Sequence, residues 1–335
     1  MVSEFKLIQE YFTRPTRHTA LGVGDDAALI NLTQGMQLAI STDMLVAGTH
    51  FFHHGAPYSI GWKSLAVNIS DMAAMGAQAK WATLAIALPN FSADSTFENA
   101  AETQITPDWL SELSKGFFDC ADAFNVDLIG GDTTRGPLNI SVTIMGEVPI
   151  EQALQRNNAK LDDDIWVSGS LGNAAMALAI LQNRYAIDKN WPEDELQKWE
   201  SCLHMPQPRA ALGLALRGIA TSCIDVSDGL MADLGHLLTA SNLGAQITLE
   251  DLPMSLYNFN HLDEETVQQC VLAGGDDYEL CFSAPKSARE QIIALGIKLE
   301  LQITHIGSTR VDIGLQAMYK NDEIKFTSQG FDHFA

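Results

Sequence analysis

The residues best placed to do chemistry begin at Gly22-Val23-Gly24-Asp25-Asp26, where two adjacent carboxylates follow two glycines and precede the apolar run Ala27 to Leu32. No lysine or arginine occurs between Arg17 and Lys63, so no side chain nearby in sequence neutralises them. Another acid, in Ser41-Thr42-Asp43, closes the next apolar run, Gln37 to Ile40. Paired acids without basic partners suggest a hard-cation site, because Mg²⁺ takes oxygen ligands and keeps water and phosphate in its shell. The pattern recurs at Asp132 after Gly130-Gly131, at Asp225 and Asp228, and at Asp276-Asp277 after Gly274-Gly275. In each cluster we read an apolar strand, then a small residue, then Asp at the turn. Glycine there lets backbone approach a phosphate chain closely.

The elements that must position these acids follow from periodicity. Residues 58–76 read as a helix, with Trp62, Leu65, Ala66, Ile69 and Ala73 at helical spacing. Ser64, Asn68 and Asp71 fall at i, i+4 and i+7 and line one stripe. Asp71 is the only charged residue from Ser64 to Ala79. Such a helix is expected to be buried on most sides, and its carboxylate then needs a partner. A metal ion fits that need better than the alternative of a solvated Asp. Further helices are expected at 5–12, 108–124, after Gly172, within 190–220 (interrupted at Pro206 and Pro208), from Asp228 to about Ala240, and at 286–296. Strands are expected near 27–32, 37–42, 81–88, 126–129, 140–148, 165–168, 222–226, 246–249, through Phe282, and at 301–308 and 313–319. Residues 90–107 read as a surface loop or insertion, and Pro149 as a domain edge. Asp228, at a helix start, could serve only as an N-cap. Strands and helices mixed in both halves indicate two α/β or α+β domains.

Composition narrows the function. The chain has 335 residues, 46% of them hydrophobic, and carries 42 acids against 20 bases for a formal charge of −22. That balance argues against sequence-independent nucleic-acid binding, which needs a basic footprint. Cys120, Cys202, Cys223, Cys270 and Cys281 show no C-x-x-C spacing and read as free thiols of a reducing compartment. No signal peptide or membrane span is read, so a cytoplasmic protein is expected. There is no G-x-x-x-x-G-K-[ST] phosphate loop and no H-E-x-x-H. Of the cluster His50, His53 and His54, His50 is the candidate to touch substrate; zinc is disfavoured because other suitable ligands are lacking.

Six segments, in order, resemble the thiamine-monophosphate kinase family of the aminoimidazole ribonucleotide synthetase superfamily. They are Gly22-Val23-Gly24-Asp25-Asp26, Ile40-Ser41-Thr42-Asp43, Asn68 to Gly76, Ile129-Gly130-Gly131-Asp132-Thr133-Thr134, Asp225-Val226-Ser227-Asp228-Gly229-Leu230 and Gly274 to Leu280. The resemblance implies several Mg²⁺ ions held at Asp26, Ser41, Thr42, Asp43, Asp71, Asp132, Asp225 and Asp228. It implies ATP at Gly131, Asp132, Arg156 and Ser227, with thiamine monophosphate at His50, Asp276 and Phe331. Two departures concern substrate fit: Asp276 stands where relatives often carry Glu, and Phe331 replaces Tyr or Trp. The alternative for Arg156 is a plain surface arginine. The resemblance also implies an N-terminal ATP- and Mg-binding domain, 1–149, that dimerises through its sheet, and a C-terminal domain, 150–335, that completes the nucleotide and substrate site.

The implied reaction moves the γ-phosphoryl group of ATP onto thiamine monophosphate. The two substrates are anions that repel each other, and acids that hold metals can line such a site because the metals hold the phosphates. The expectation is that the scattered acids converge, with no protein nucleophile. Rival expectations are another ATP-dependent enzyme of the superfamily, a non-catalytic divalent-cation binder, and a structural acidic protein.

Overall fold

The computed structural model describes residues 4–89, 105–184, 192–254, 263–320, 322–324 and 330. The chain divides into two compact units, Met1–Met72 with Ala77–Ile150, and Ala73–Gly76 with Glu151–Ala335. Among the described residues, no helix is long and apolar enough to cross a membrane.

The first unit runs α1 (Glu4–Tyr11), β1 (Thr19–Leu21), β2 (Leu29–Ile30), β3 (Met36–Val46), α2 (Pro57–Ala74), β4 (Gln78–Leu88), α3 (Pro107–Phe124), β5 (Asp127–Arg135) and β6 (Asn139–Pro149). Its main sheet has the order β3-β6-β4-β5, antiparallel except for the parallel β4–β5 pair. β1 and β2 form a separate antiparallel pair. The core is built from Leu65 and Ile69 of α2, Trp81 and Ile86 of β4, Leu110, Leu113 and Phe117 of α3, and Ile140, Val142 and Ile144 of β6. Every residue from Gly61 to Ser70 is buried, which explains why α2 carries so few charges. Glycines let α2 and α3 meet closely: a Cβ on Gly61 would lie 2.0 Å from the Leu113 carbonyl oxygen, and one on Gly116 1.9 Å from that of Tyr58.

Two strands differ from the sequence expectation. β3 does not stop at Asp43 but pairs with β6 along its whole length, from Met36 opposite Pro149 to Val46 opposite Asn139. β5 does not end at Gly130-Gly131 but continues beside β4 to Arg135, after a bulge that leaves Ile129 without a cross-strand partner. Gly and Asp are depleted in strands, so local propensity marks a turn there; pairing with neighbouring strands overrides it. The expected loop at 90–107 lies almost wholly outside the described residues.

The second unit runs β7 (Asp164–Ser168), α4 (Asn173–Leu181), α5 (Glu193–His204), α6 (Ala210–Ala215), β8 (Ser222–Val226), α7 (Leu230–Ser241), β9 (Gly244–Thr248), α8 (Glu264–Ala273), β10 (Glu279–Ala284), α9 (Arg289–Leu299), β11 (Ile303–Arg310), β12 (Gly314–Tyr319) and β13 (Asp322–Glu323). These strands form one sheet of order β13-β12-β9-β11-β7-β10-β8. Strands β7 and β10 and the end strand β8 are buried at every position. Alternation splits their side chains between two cores. Ile165, Val167, Ile224, Val226 and Cys281 pack with Leu230 and Leu234 of α7 and Val267 and Val271 of α8. Trp166, Cys223, Leu280 and Phe282 pack on the opposite face with Leu212 of α6 and Ile292 of α9. All five cysteines are free thiols, four of them buried and Cys202 half-buried.

Candidate functional site

In the first unit the site is built where β3 meets α2. The two-residue period of a strand puts Ser41 and Asp43 on one face. Ser41 Oγ donates to Asp71 Oδ2 at 2.5 Å, and the Asp43 N–H donates to Asn68 Oδ1 at 3.2 Å. Asn68 Nδ2 in turn donates to the Ser64 carbonyl at 3.0 Å. The polar stripe of α2 therefore faces β3, and it brings Ser41, Asp43 and Asp71 together. Thr42 points to the other face of the sheet, where its hydroxyl lies 2.8 Å from that of Thr143. Its side chain does not join the group.

Asp25 and Asp26 are exposed in the segment between β1 and β2, with the Asp26 N–H donating to Asp25 Oδ1 at 2.9 Å. The chain leading to them is pinned by a buried carboxylate with no role in the sequence expectation. Asp127 accepts from the Arg17 N–H at 2.8 Å, the His18 N–H at 2.6 Å and Thr19 Oγ1 at 2.9 Å. Asp132 is exposed within β5. The two glycines before it have different reasons. A Cβ on Gly130 would meet nothing within 4 Å, whereas one on Gly131, at φ +153°, would lie 1.8 Å from the Leu84 carbonyl oxygen. Gly130 leaves open space, and Gly131 is required by strand pairing. His50 sits just past β3, and its Nδ1 accepts the Val46 N–H at 3.0 Å. The neutral ring then carries its proton on Nε2.

In the second unit the site gathers around the end of β8. Asp225 is buried inside that strand, and Ser227 and Asp228 follow in the turn to α7. Gly229, not Asp228, is the N-cap of α7, and it makes no side-chain cap bond. The N–H groups of the turn leading into the helix are met from inside it. Oδ2 of Asp233 accepts the N–H groups of Ser227, Asp228 and Gly229 at 2.9, 3.0 and 3.2 Å. Burial, reinforced by the nearby Asp228 charge, pushes the Asp233 carboxyl up to about 6 despite these three bonds.

Asp276 adopts a left-handed conformation, φ 68°, and so does Tyr278, φ 50°. The Asp276 N–H donates to the Ser227 carbonyl at 2.9 Å, the Tyr278 N–H donates to that of Val226 at 2.8 Å, and the Tyr278 hydroxyl donates to Asp276 Oδ1 at 3.1 Å. Asp276 and Ser227 thus lie side by side. Asp277 turns the other way and accepts the Gly172 N–H, the N-cap of α4, at 2.9 Å. Burial of its carboxylate pushes it well above the ordinary range. Arg156 is exposed at the start of a short 3-10 turn, Arg156–Asn158, whose first carbonyl accepts Ser241 Oγ at 2.7 Å. Phe331 lies outside the described residues. Its neighbour Gly330, at φ +99°, lies against the turn: a Cβ there would come 2.8 Å from the Asp228 carbonyl oxygen.

The expected metal ligands thus divide as Asp26, Ser41, Thr42, Asp43, Asp71 and Asp132 in one unit, and Asp225 and Asp228 in the other. Their donor chemistry fits Mg²⁺, since every ligand offered is a hard oxygen. Among the described residues no group of three or more His, Cys, Asp or Glu is arranged to hold a metal ion. Sequence reasoning missed Asp233 and gave Asp277 no separate role. The available signal was an acid in the first turn of a helix that starts at glycine, where it can reach back to the orphan N–H groups.

Comparison with known proteins defines the class first. Residues 24–148 match the family described as AIR synthase related protein, N-terminal domain. The whole chain then finds nearer relatives. The thiamine-monophosphate kinase of Escherichia coli K12 is 43% identical, over 99% of this chain and 98% of that protein. The crystal structure of the thiamine-monophosphate kinase from Stenotrophomonas maltophilia K279a superposes with a TM-score of 0.80 at 43% identity, covering 90% of this chain and 91% of that one. A structure described as AaThiL complexed with AMPPCP and TMP gives a TM-score of 0.74 at 27% identity, covering 93% and 92%. The chain belongs to the thiamine-monophosphate kinase family.

Proposed function

We infer that this chain transfers the γ-phosphoryl group of ATP to the phosphate of thiamine monophosphate, giving thiamine diphosphate and ADP. The observation that carries this is the 43% identity to the Escherichia coli kinase across nearly both full lengths. The related structure complexed with AMPPCP, an ATP analogue, and TMP supports the same pair of substrates.

We assign Asp26, Ser41, Thr42, Asp43, Asp71, Asp132, Asp225 and Asp228 to holding Mg²⁺, with Thr42 limited to its backbone oxygen. When bound, Mg²⁺ screens the repulsion between the two phosphate groups and fixes their geometry. The chain's own groups do the rest. Ser41 holds the Asp71 carboxylate in place through its 2.5 Å hydrogen bond, and Asn68 fixes the backbone of Asp43. Gly131 and Asp132 of β5, Arg156 and Ser227 are assigned to ATP. Gly130, beside Gly131 and Asp132 in β5, leaves open space for a phosphate chain. His50 faces thiamine monophosphate with a proton on Nε2, so it donates a hydrogen bond to the acceptor. Asp276, held against Ser227 by its own N–H, offers a carboxylate to the thiazolium cation, and Phe331 offers an aromatic face. The acceptor phosphate is largely ionised near neutral pH, so no side chain is needed as a general base.

Residues 1–149 would bind ATP and Mg²⁺ and dimerise, and residues 150–335 would complete the nucleotide and substrate site. Pairing of two copies through the first unit's sheet is supported by β3. This edge strand is 11 residues long, and its outward face carries Ile40, 60% exposed, and Met44, 56% exposed. A cytoplasmic location agrees with five free thiols. Mixing the purified protein with ATP, Mg²⁺ and thiamine monophosphate tests the reading: thiamine diphosphate and ADP should form one for one. ADP without thiamine diphosphate would point to a different acceptor and overturn it.

A further inference from the structure

We propose that Asp233 is a positioning residue for phosphoryl transfer. Its carboxylate is a built-in anion that occupies the backbone nest at the start of α7 and so sets how Ser227 and Asp228 are presented to Mg²⁺ and ATP. The proposal rests on the assignment of those two residues to the nucleotide and metal site.

Three consecutive N–H groups converging on one oxygen make an arrangement that elsewhere receives a phosphate. Here Asp233, itself 4% exposed, fills it from within the same helix. Two consequences follow. These three N–H groups are used internally, so they are not free to bind the nucleotide's phosphates. In addition, the turn has no freedom left on either side of its peptides. Asp233 holds the N–H of Ser227, and Asp276 takes its carbonyl at 2.9 Å. Gly275 and Gly330 close over the same turn, since a Cβ on either would crowd the Ser227 or the Asp228 carbonyl, at 2.4 and 2.8 Å. Loss of the Asp233 carboxylate frees three donors at once and lets the turn rotate Asp228 away from its working direction. It also loosens the Asp276 backbone strapped to Ser227.

The experiment uses the full chain and compares Asp233→Ala, Asp233→Asn and Asp228→Asn. The alanine variant should lose about 10- to 100-fold in kcat, the range for losing a group that supports a metal ligand, and need more Mg²⁺ for half-saturation. Its melting temperature should fall, because three N–H groups lose their acceptor, but less than a loss of folding requires. Added formate, a carboxylate small enough to enter the vacated nest, should restore part of that activity in Asp233→Ala and none in the wild type, with chloride at equal ionic strength as control. A folded alanine variant with normal kcat, or a slow one that formate does not restore, would overturn the proposal. If the alanine variant does not fold, Asp233→Asn, which keeps an oxygen acceptor, carries the test. A lowered kcat with a raised Mg²⁺ requirement supports the role, and wild-type kinetics overturn it. Asp228→Asn separates the two ideas: an active Asp228→Asn removes the underlying assignment, whereas an inactive one beside a normal Asp233→Ala removes only the positioning role.

Discussion

At the residue scale, the same residue type serves different ends, and only the structure separates them. Gly130 and Gly131 read identically in sequence, yet one faces open space and the other the Leu84 carbonyl. Gly131→Ala should therefore destabilise the first unit by about 1–3 kcal/mol, as overpacking does, measurable by denaturant unfolding. Gly130→Ala should leave stability nearly unchanged, and any loss it causes should appear in KM for ATP. An unaltered unfolding midpoint for Gly131→Ala would show that the strand pairing accommodates the extra carbon. The aspartates divide likewise. Asp71 was legible from helical spacing, as one polar stripe with Ser64 and Asn68, whereas Ser41 entered through the family resemblance and Asp43 was expected at a strand end, not inside β3. Asp127 was not legible, because nothing near it says that a buried carboxylate will collect N–H groups from a segment remote in sequence, and Asp233 carried one local sign alone, its place in the first turn of a helix that starts at glycine. For substrate contact, Phe331→Ala should raise KM for thiamine monophosphate while leaving that for ATP near normal. Equal rises in both would place Phe331 elsewhere.

At the scale of elements, periodicity located most helices and strands, but their ends were set by partners. β3 and β5 run on through Asp43 and through Gly130-Gly131-Asp132 because neighbouring strands satisfy their backbone groups. The positions of β7, β8 and β10 were legible in sequence, but their burial at every position was not. Nor were the buried acids at the edge of that pattern. Asp164 opens β7 with its side chain only 1% exposed, paired with Arg289 Nε at 2.5 Å and with His305 Nε2 at 3.3 Å. The Arg289 guanidinium holds the Asp164 carboxyl below its ordinary value. A depressed folded-state pKa contributes stability that is present above the unfolded pKa and lost as pH falls through the folded one. Asp164→Asn should thus cost the second unit about 2 kcal/mol at neutral pH, the scale of charge-assisted hydrogen bonds, and progressively less below about pH 4. An equal cost at pH 3 and pH 7 would assign the loss to packing instead of charge. If two copies pair through β3 as proposed, light scattering should give a dimer for the unaltered chain and a monomer once both Ile40 and Met44 are replaced by Asp. A dimer that survives would place the contact on another surface.

At the scale of the molecule, a chain with a formal charge of −22 handles two phosphate-bearing substrates. Its net charge does not attract them, and under the proposed assignment captured Mg²⁺ ions turn carboxylates into phosphate-binding groups. Chelation of divalent ions should therefore abolish thiamine diphosphate formation, and added Mg²⁺ should restore it. The order of six motifs, running from Gly22 to Leu280, made the family legible, but no single motif would have done so. The most direct measurement is a Mg²⁺ titration of thiamine diphosphate formation in the wild type and in Asp71→Asn, a variant that keeps the shape of the side chain but not its charge. The wild type should saturate with Mg²⁺, and the variant should show a much weaker Mg²⁺ dependence and at least ~100-fold less product at equal protein stability. Superimposable titration curves for the two proteins would contradict the account.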